Sequence, residues 1–310
     1  MSVMKPYPYP ESIVLITGAS RGIGAALARA LAERGVRSLI LTARAKGDLE
    51  TLAAELFAAH GTRVEVVVAD LSDAAAPAHI KAETDRRGLT VDLVINNAGW
   101  GTHGTFDATD PAKSRDMVEV NIQALVELSH LYLPGMIARN RGGIVNIAST
   151  ASFQPVPFMA VYGATKAFVL SFTEALAVEV TEQGADGVRV VALCPGGTAT
   201  NFGDGMLRGH FENAHQHTAE QVAAETLAAL DKNTPVAVVG TANYLMTLSG
   251  RFAPRRTVAE VAGSMFRPAS LPAKEKNKTA LSQNRVAVLA ATAGAAAVAI
   301  AALFLARRNR

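Results

Sequence analysis

Cysteine is almost missing from this 310-residue chain, where Cys194 stands alone. An intramolecular disulfide is thereby excluded, and a reducing compartment suits the chain. Cys194 lies in the apolar run VVALCP, the setting of a small buried hydrophobe and not of a nucleophile. A large excess of one charge is lacking as well. Lys and Arg number 30 against 27 Asp and Glu, and the surplus forms no stripe with interleaved aromatics, so nucleic-acid binding has no support. The N-terminal MSVMKPYPYPES carries no apolar core of the signal-peptide kind, so the body is expected on the cytosolic side. No internal repeat is found, and the length suits one large domain or two small ones.

One long hydrophobic run is present. VAVLAATAGAAAVAIAALFLA, residues 286–306, is 21 residues without a charge, enough as a helix to cross roughly 30 Å of hydrocarbon. Arg285 precedes it and Arg307, Arg308 and Arg310 follow, so the flanks set no orientation. The expectation is a single C-terminal transmembrane anchor holding the body at the cytosolic face of a membrane. A helix packed in an oligomer is the alternative, with a cytoplasmic protein if the tail does not insert.

Ahead of the tail, short β-branched runs alternate with Ala/Leu/Glu-rich segments. SIVLIT, RSLILT, RVEVVVA, VDLVINN, GIVNIAS, VRVVALCP and PVAVVG read as strands, and AALARALAERG and SRDMVEVNIQALVELSHLYLPGMIARN as helices. Near-continuous apolar strands spaced by helices predict a parallel sheet covered on both faces, hence a doubly wound α/β domain. Thr218 with Gln221 predicts a capping box at the start of a late helix. The expected division is a lead at 1–10, an α/β domain at 11–272 with core motifs to 240 and a helical extension over 241–272, a polar linker at 273–285, and the tail.

Three local patterns carry chemistry. IVLITGASRGIGAALARAL places Gly18, Gly22 and Gly24 where a strand turns into a helix, so the backbone can approach a phosphate at the helix N-terminus. At the end of the next strand stands Ala43, where a carboxylate would receive the adenosine ribose hydroxyls, and Arg44 follows at once. With Arg21 inside the glycine turn, two guanidiniums suit a 2′-phosphate and favour NADP(H) over NAD(H). Finally, YGATK at 162–166 puts a phenol and an ammonium four residues apart, on one face if helical. A nearby ammonium favours a phenol's anion, so the pair reads as a tuned proton donor; the plain alternative is a lysine lying along a half-buried tyrosine.

Taken with NNAG at 96–99, Asn121 in VEVNIQA, Ser149 in VNIAS and PGGTAT at 195–200, these motifs resemble the short-chain dehydrogenase/reductase family in their order along residues 11–240. The resemblance implies a Rossmann-type fold with a mainly parallel seven-stranded sheet. It also implies hydride transfer between NADP(H) and a carbonyl or alcohol. Tyr162 would then be the general acid/base, Lys166 would lower its pKa and bond the nicotinamide ribose, and Ser149 would hold the substrate oxygen. Ser152 is a rival hydroxyl, but Ser149 stands thirteen residues before Tyr162, the spacing the family uses, and Ser152 only ten. Asn121 would hold a water joining Lys166 to solvent. The resemblance also places Ser20, Arg21 and Ile23 of the glycine turn, Arg44, Asp70, Leu71, Asn96, Asn97, Ala98, Gly99, Pro195, Gly196, Thr198 and Thr200 around the cofactor.

Substrate contacts are expected from Trp100, Phe153, Val156, Phe158, Met159, Phe202 and Met206, near the carboxyl ends of the later strands. Their apolar character suggests a lipid-like, steroid-like or acyl-chain carbonyl or alcohol. His210, His215 and His217 match no metal-ligand spacing and read as part of a substrate lid, while His103 reads as a loop residue near the mouth of the site. A homodimer or homotetramer through paired long helices is the implied assembly. A dinucleotide-binding membrane scaffold without turnover is the competing reading, against which the complete Ser149, Tyr162 and Lys166 set argues.

Overall fold

The computed structural model describes residues 6–200 and 216–272. The linker and apolar run at 273–306, together with Phe202, Met206, His210 and His215, lie outside the described residues.

Seven strands form one parallel sheet: β1 (Ile13–Thr17), β2 (Ser38–Ala43), β3 (Arg63–Val68), β4 (Leu93–Asn96), β5 (Gly142–Ile147), β6 (Val188–Cys194) and β7 (Val236–Val238), in the spatial order β3-β2-β1-β4-β5-β6-β7. Each expected strand is present. The apolar runs alternate between two cores because successive side chains leave a strand on opposite faces. On one face Val14 and Ile16 of β1 pack with α1 (Gly22–Glu33), α2 (Lys46–His60) and α7 (Ala219–Asp231). On the other, Ile13 and Leu15 pack with α3 (Ala76–Arg86), α5 (Ala124–Ala138) and α6 (Ala160–Glu182). The chain reverses its direction of travel across the sheet between β1 and β4, where Ile16 is registered with Ile95, and a crevice opens beyond their carboxyl ends.

Two departures from the sequence reading matter. The segment 114–140 is not one helix: α4 (Pro111–Val118) and α5 are joined by a π-helical turn, Glu119–Gln123. The lead at 1–10 belongs in part to the packed body, since Tyr7 and Tyr9 are buried. The expected helical extension is present as two helices, α8 (Thr241–Ser249) and α9 (Arg255–Met265). The expected Thr218–Gln221 capping box forms at the start of α7. By length and composition α6 is the one described helix apolar enough to cross a membrane, yet it packs on β6 and carries Tyr162 and Lys166.

Candidate active site

At the crevice, Gly18 and Gly22 have φ of +64° and +58°, the left-handed conformation that favours glycine. Gly24 is needed for closeness instead, because a Cβ there would lie 2.4 Å from the Gly18 carbonyl oxygen and 2.6 Å from Asn97 Nδ2. Asn97 Nδ2 donates to the Thr17 and Gly18 carbonyls, at 2.8 and 3.2 Å. The Thr17 hydroxyl accepts from the backbone amides of Asn97 and Ala98, at 3.0 and 2.9 Å. The asparagine segment is thus tied to the back of the glycine turn. Thr17, quoted within the glycine motif but given no task by sequence, is the brace. Buried Asn96, one residue before, donates to Asn146 of β5, which donates to Thr173 of α6, so a polar chain crosses from sheet to helix.

Beyond the strand ends lies a cleft of about 1850 Å³. It is lined by Gly18, Ser20, Arg21, Gly22, Ile23, Arg44, Asp70, Leu71, Asn97, Ala98, Gly99, Ser149, Tyr162, Lys166, Pro195, Gly196, Thr198 and Thr200. Gly24 and Asn121 stand behind this wall. Arg44 is exposed and 3.9 Å from the Asp70 carboxylate, a weak pairing that leaves its guanidinium available to an anion. The glycine cradle, the free helix N-terminus of α1 and the two arginines fit a dinucleotide.

On α6, Tyr162 and Lys166 are one turn apart. Burial pushes the Tyr162 phenol above the ordinary range, and the Ser149 side chain offsets part of that. Lys166 is 5 % exposed. Its Nζ donates to the Ile147 carbonyl at 2.7 Å and stands 6.0 Å from the Tyr162 ring centre. Burial lowers its pKa to about 8. Burial and Ser149 are the influences resolved on the phenol, while the ammonium one turn away donates to the Ile147 carbonyl.

The two rival serines have separate tasks. The Ser152 hydroxyl donates to the Lys166 carbonyl at 2.7 Å and also accepts from the Ser149 amide, which leaves Ser149 beside the phenol. Asn121 is buried within the π turn. Its Nδ2 donates to the Trp100 carbonyl and the Thr165 hydroxyl, and its Oδ1 accepts from the Trp100 amide. Gly99 keeps the space between Asn121 and Lys166 open: a Cβ there would lie 3.2 Å from both Oδ1 and Nζ. Gly101 does the same for Tyr162, whose ring would meet an added Cβ at 2.9 Å. Cys194 is fully buried and its thiol is pushed up to about 12 by burial, so it is inert at neutral pH.

Of the described substrate candidates, Trp100, Val156 and Met159 line the cleft. Phe153 does not; it packs against the core around Ala148 and Val169. Phe158 lines only a separate hollow of about 30 Å³, its backbone held at φ +67°. Sequence reasoning missed the walls that the extension contributes, Met246 of α8 and Met265 and Phe266 at the end of α9. They are distant in sequence from every motif, and only folding brings them to the mouth. His103 is bonded to the Phe266 carbonyl at 2.7 Å, which ties the loop after β4 to α9. His217 lines the cleft, and among the described residues no cluster of His, Cys, Asp and Glu could hold a metal.

The family model described as "short chain dehydrogenase" matches residues 12–208. A very-long-chain 3-oxoacyl-CoA reductase of Anas platyrhynchos is 34% identical over 174 residues, 55% of either chain, so the match spans about half of that relative. Sulfoacetaldehyde reductase 2 of Chromohalobacter salexigens is 40% identical over 199 residues, 62% of this chain and 75% of the relative. Among solved structures, a short-chain dehydrogenase from Sphingobium yanoikuyae in complex with NADPH superposes with a TM-score of 0.70 at 30% identity, covering 85% of this chain and 99% of the other.

Proposed function

Since this chain belongs to the short-chain dehydrogenase family and is an oxidoreductase of carbonyl and alcohol groups, we propose that it uses NADP(H) to interconvert a lipophilic ketone or aldehyde and its alcohol. The observation that carries the reading is that Ser149, Tyr162 and Lys166 line one cleft with the glycine turn.

A bound nicotinamide supplies or accepts the hydride. In the reducing direction the Tyr162 hydroxyl donates its proton to the carbonyl oxygen as negative charge develops there, and the Ser149 hydroxyl positions that oxygen. Lys166 would hold the nicotinamide ribose hydroxyls and, when charged, would ease loss of the phenol proton. Asn121 fixes Trp100 and Thr165 and faces Lys166 across the space kept by Gly99, an arrangement suited to a water that returns a proton from solvent.

Arg21 and Arg44 support NADP(H), because β2 ends at Ala43, which has no carboxylate to receive the ribose hydroxyls. Val156, Met159, Met246, Met265 and Phe266 support a lipophilic substrate. The duck relative is named for a very long acyl chain. The bacterial reductase is named for a small sulfonate, whose charge those side chains would not welcome. Anchorage at a cytosolic membrane face by residues 286–306, and a homo-oligomer paired through α6, where Phe168 and Val178 stand exposed, complete the proposal.

The test is NADPH consumption by detergent-solubilised protein against hydrophobic ketones and aldehydes. Tyr162→Phe should lower turnover on the order of 100- to 10,000-fold while NADPH affinity is kept. A variant that retains most activity overturns the acid/base assignment, and equal use of NADH overturns the cofactor preference.

A further inference from the structure

Six of the twelve exposed large hydrophobic side chains among the described residues fall between 244 and 265: Tyr244, Leu245, Met246, Phe252, Val261 and Met265. All are on α8, α9 or the short turn between them. α8 has no charged residue, TANYLMTLS, and its outward positions include Ala242, Leu245 and Met246. A soluble helix normally turns charge to water, and one without it is covered by something apolar.

The charge around this face says what covers it. Residues 241–310 hold 11 Lys and Arg against 2 Asp and Glu, whereas residues 1–240 hold 19 against 25. The small net surplus of the chain thus conceals an acidic body and a basic C-terminal portion. Within the described part, Arg251, Arg255, Arg256 and Arg267 accompany one acid, Glu260, which is bonded to Arg256. A second copy meeting this face across a twofold axis would set the same arginines against each other. The chain's own residues 273–310 are basic too, with Glu275 their only acid. Both repel the face electrostatically, and a nucleic-acid backbone offers nothing to the uncharged α8.

We propose that the outward face of α8 and α9 docks on an anionic phospholipid surface. The apolar side chains enter the headgroup boundary and the arginines meet lipid phosphates and carboxylates, the division of labour of an interfacial amphipathic helix. The site's placement gives this contact a purpose. Met246 and Met265 are at once exposed and part of the cleft wall, so docking turns the cleft mouth to the bilayer and a lipophilic substrate can enter without crossing water. The contact is distinct from any anchor at 286–306. It depends on the substrate reading only for its purpose, not for its existence.

The experiment places an environment-sensitive fluorophore on a cysteine at 245 in the full chain, Leu245→Cys, with Phe57→Cys on α2 as the remote control; buried Cys194 is not labelled. Both variants are checked for NADPH binding. Vesicles of phosphatidylcholine with phosphatidylserine should raise the emission of the label at 245 and not at 57. Vesicles of phosphatidylcholine alone should do so weakly, and added salt should reverse the gain. Replacing Arg251, Arg255 and Arg256 by serine should weaken partitioning roughly fivefold per residue. A chain that sediments with vesicles while the label at 245 stays silent overturns the proposal and leaves 286–306 as the membrane contact. Emission that grows with protein concentration without lipid overturns it in favour of a second copy. Emission already high at every concentration without lipid overturns it in favour of the chain's own tail. Each of these readouts is separate from turnover, so a failed substrate assignment is not mistaken for a failed docking face.

Discussion

At Lys166 the protein holds an ammonium where water can scarcely reach it, and folding carries the consequence. Burial lowers the pKa from 10.5 to about 8, so between those values the unfolded chain binds more protons at this site than the folded one. Stability therefore rises with pH through that window, because the penalty on the buried charge is relieved as the amine loses its proton. Lys166→Met removes this titration. The stability difference between wild type and the variant, measured by urea unfolding at pH 7.5 and again near pH 10, should move in favour of the wild type at the higher pH. An unchanged difference would mean that the Ile147 carbonyl compensates the buried charge. At this scale the sequence was most informative where spacing decides, as with Ser149, Tyr162 and Lys166. It was least informative for Phe153 and Phe158, since an apolar side chain near a strand end can turn to the core or to the cleft and its identity does not say which. The second role of Ser152, on the Lys166 carbonyl, had no sequence signal either.

Elements carry the next level of legibility. All seven strands were readable because buried parallel strands are near-continuous β-branched runs, and the glycine turn because its conformation needs glycine. The π turn at Glu119–Gln123 was not readable: nothing in VEVNIQ distinguishes it from an ordinary helical turn. Its cause lies in tertiary bonds. Asn121 is pulled toward Trp100 and Thr165 by three hydrogen bonds, and the extra residue in the turn lets it reach them. Asn121→Ala leaves the buried partners without that side chain and should cost about 2–4 kcal/mol in urea unfolding. It should also lower turnover more than NADPH affinity, since Lys166 and not the glycine turn faces Asn121. A variant of wild-type stability would show that the turn is set by packing of α4 and α5 alone.

Seen as a whole, the molecule separates chemistry from anchoring of the fold along the strand direction. The cleft lies beyond the carboxyl ends of the strands, whereas the N-terminal segment closes the opposite end. Tyr7 donates its hydroxyl to the Asp92 carbonyl just before β4, and its amide donates to the Asp231 carboxylate at 3.2 Å, at the end of α7. Its ring lies 5.6 Å from the Arg189 guanidinium of β6, and Arg34 covers Tyr9 at 4.8 Å. Proline-rich and lacking any strand or helix pattern, MKPYPYP reads in the sequence as a lead outside the domain. The place of Tyr7 in the core rests on hydrogen-bond partners 85 and 224 residues away, which no local pattern reveals. Tyr7→Ala should therefore destabilise the protein by about 3–5 kcal/mol, as loss of a buried aromatic ring does, while kcat and KM per folded molecule stay at wild-type values. A fall in kcat without loss of stability would show instead that strain at the sheet's lower end reaches Tyr162, and the two ends could no longer be treated as independent.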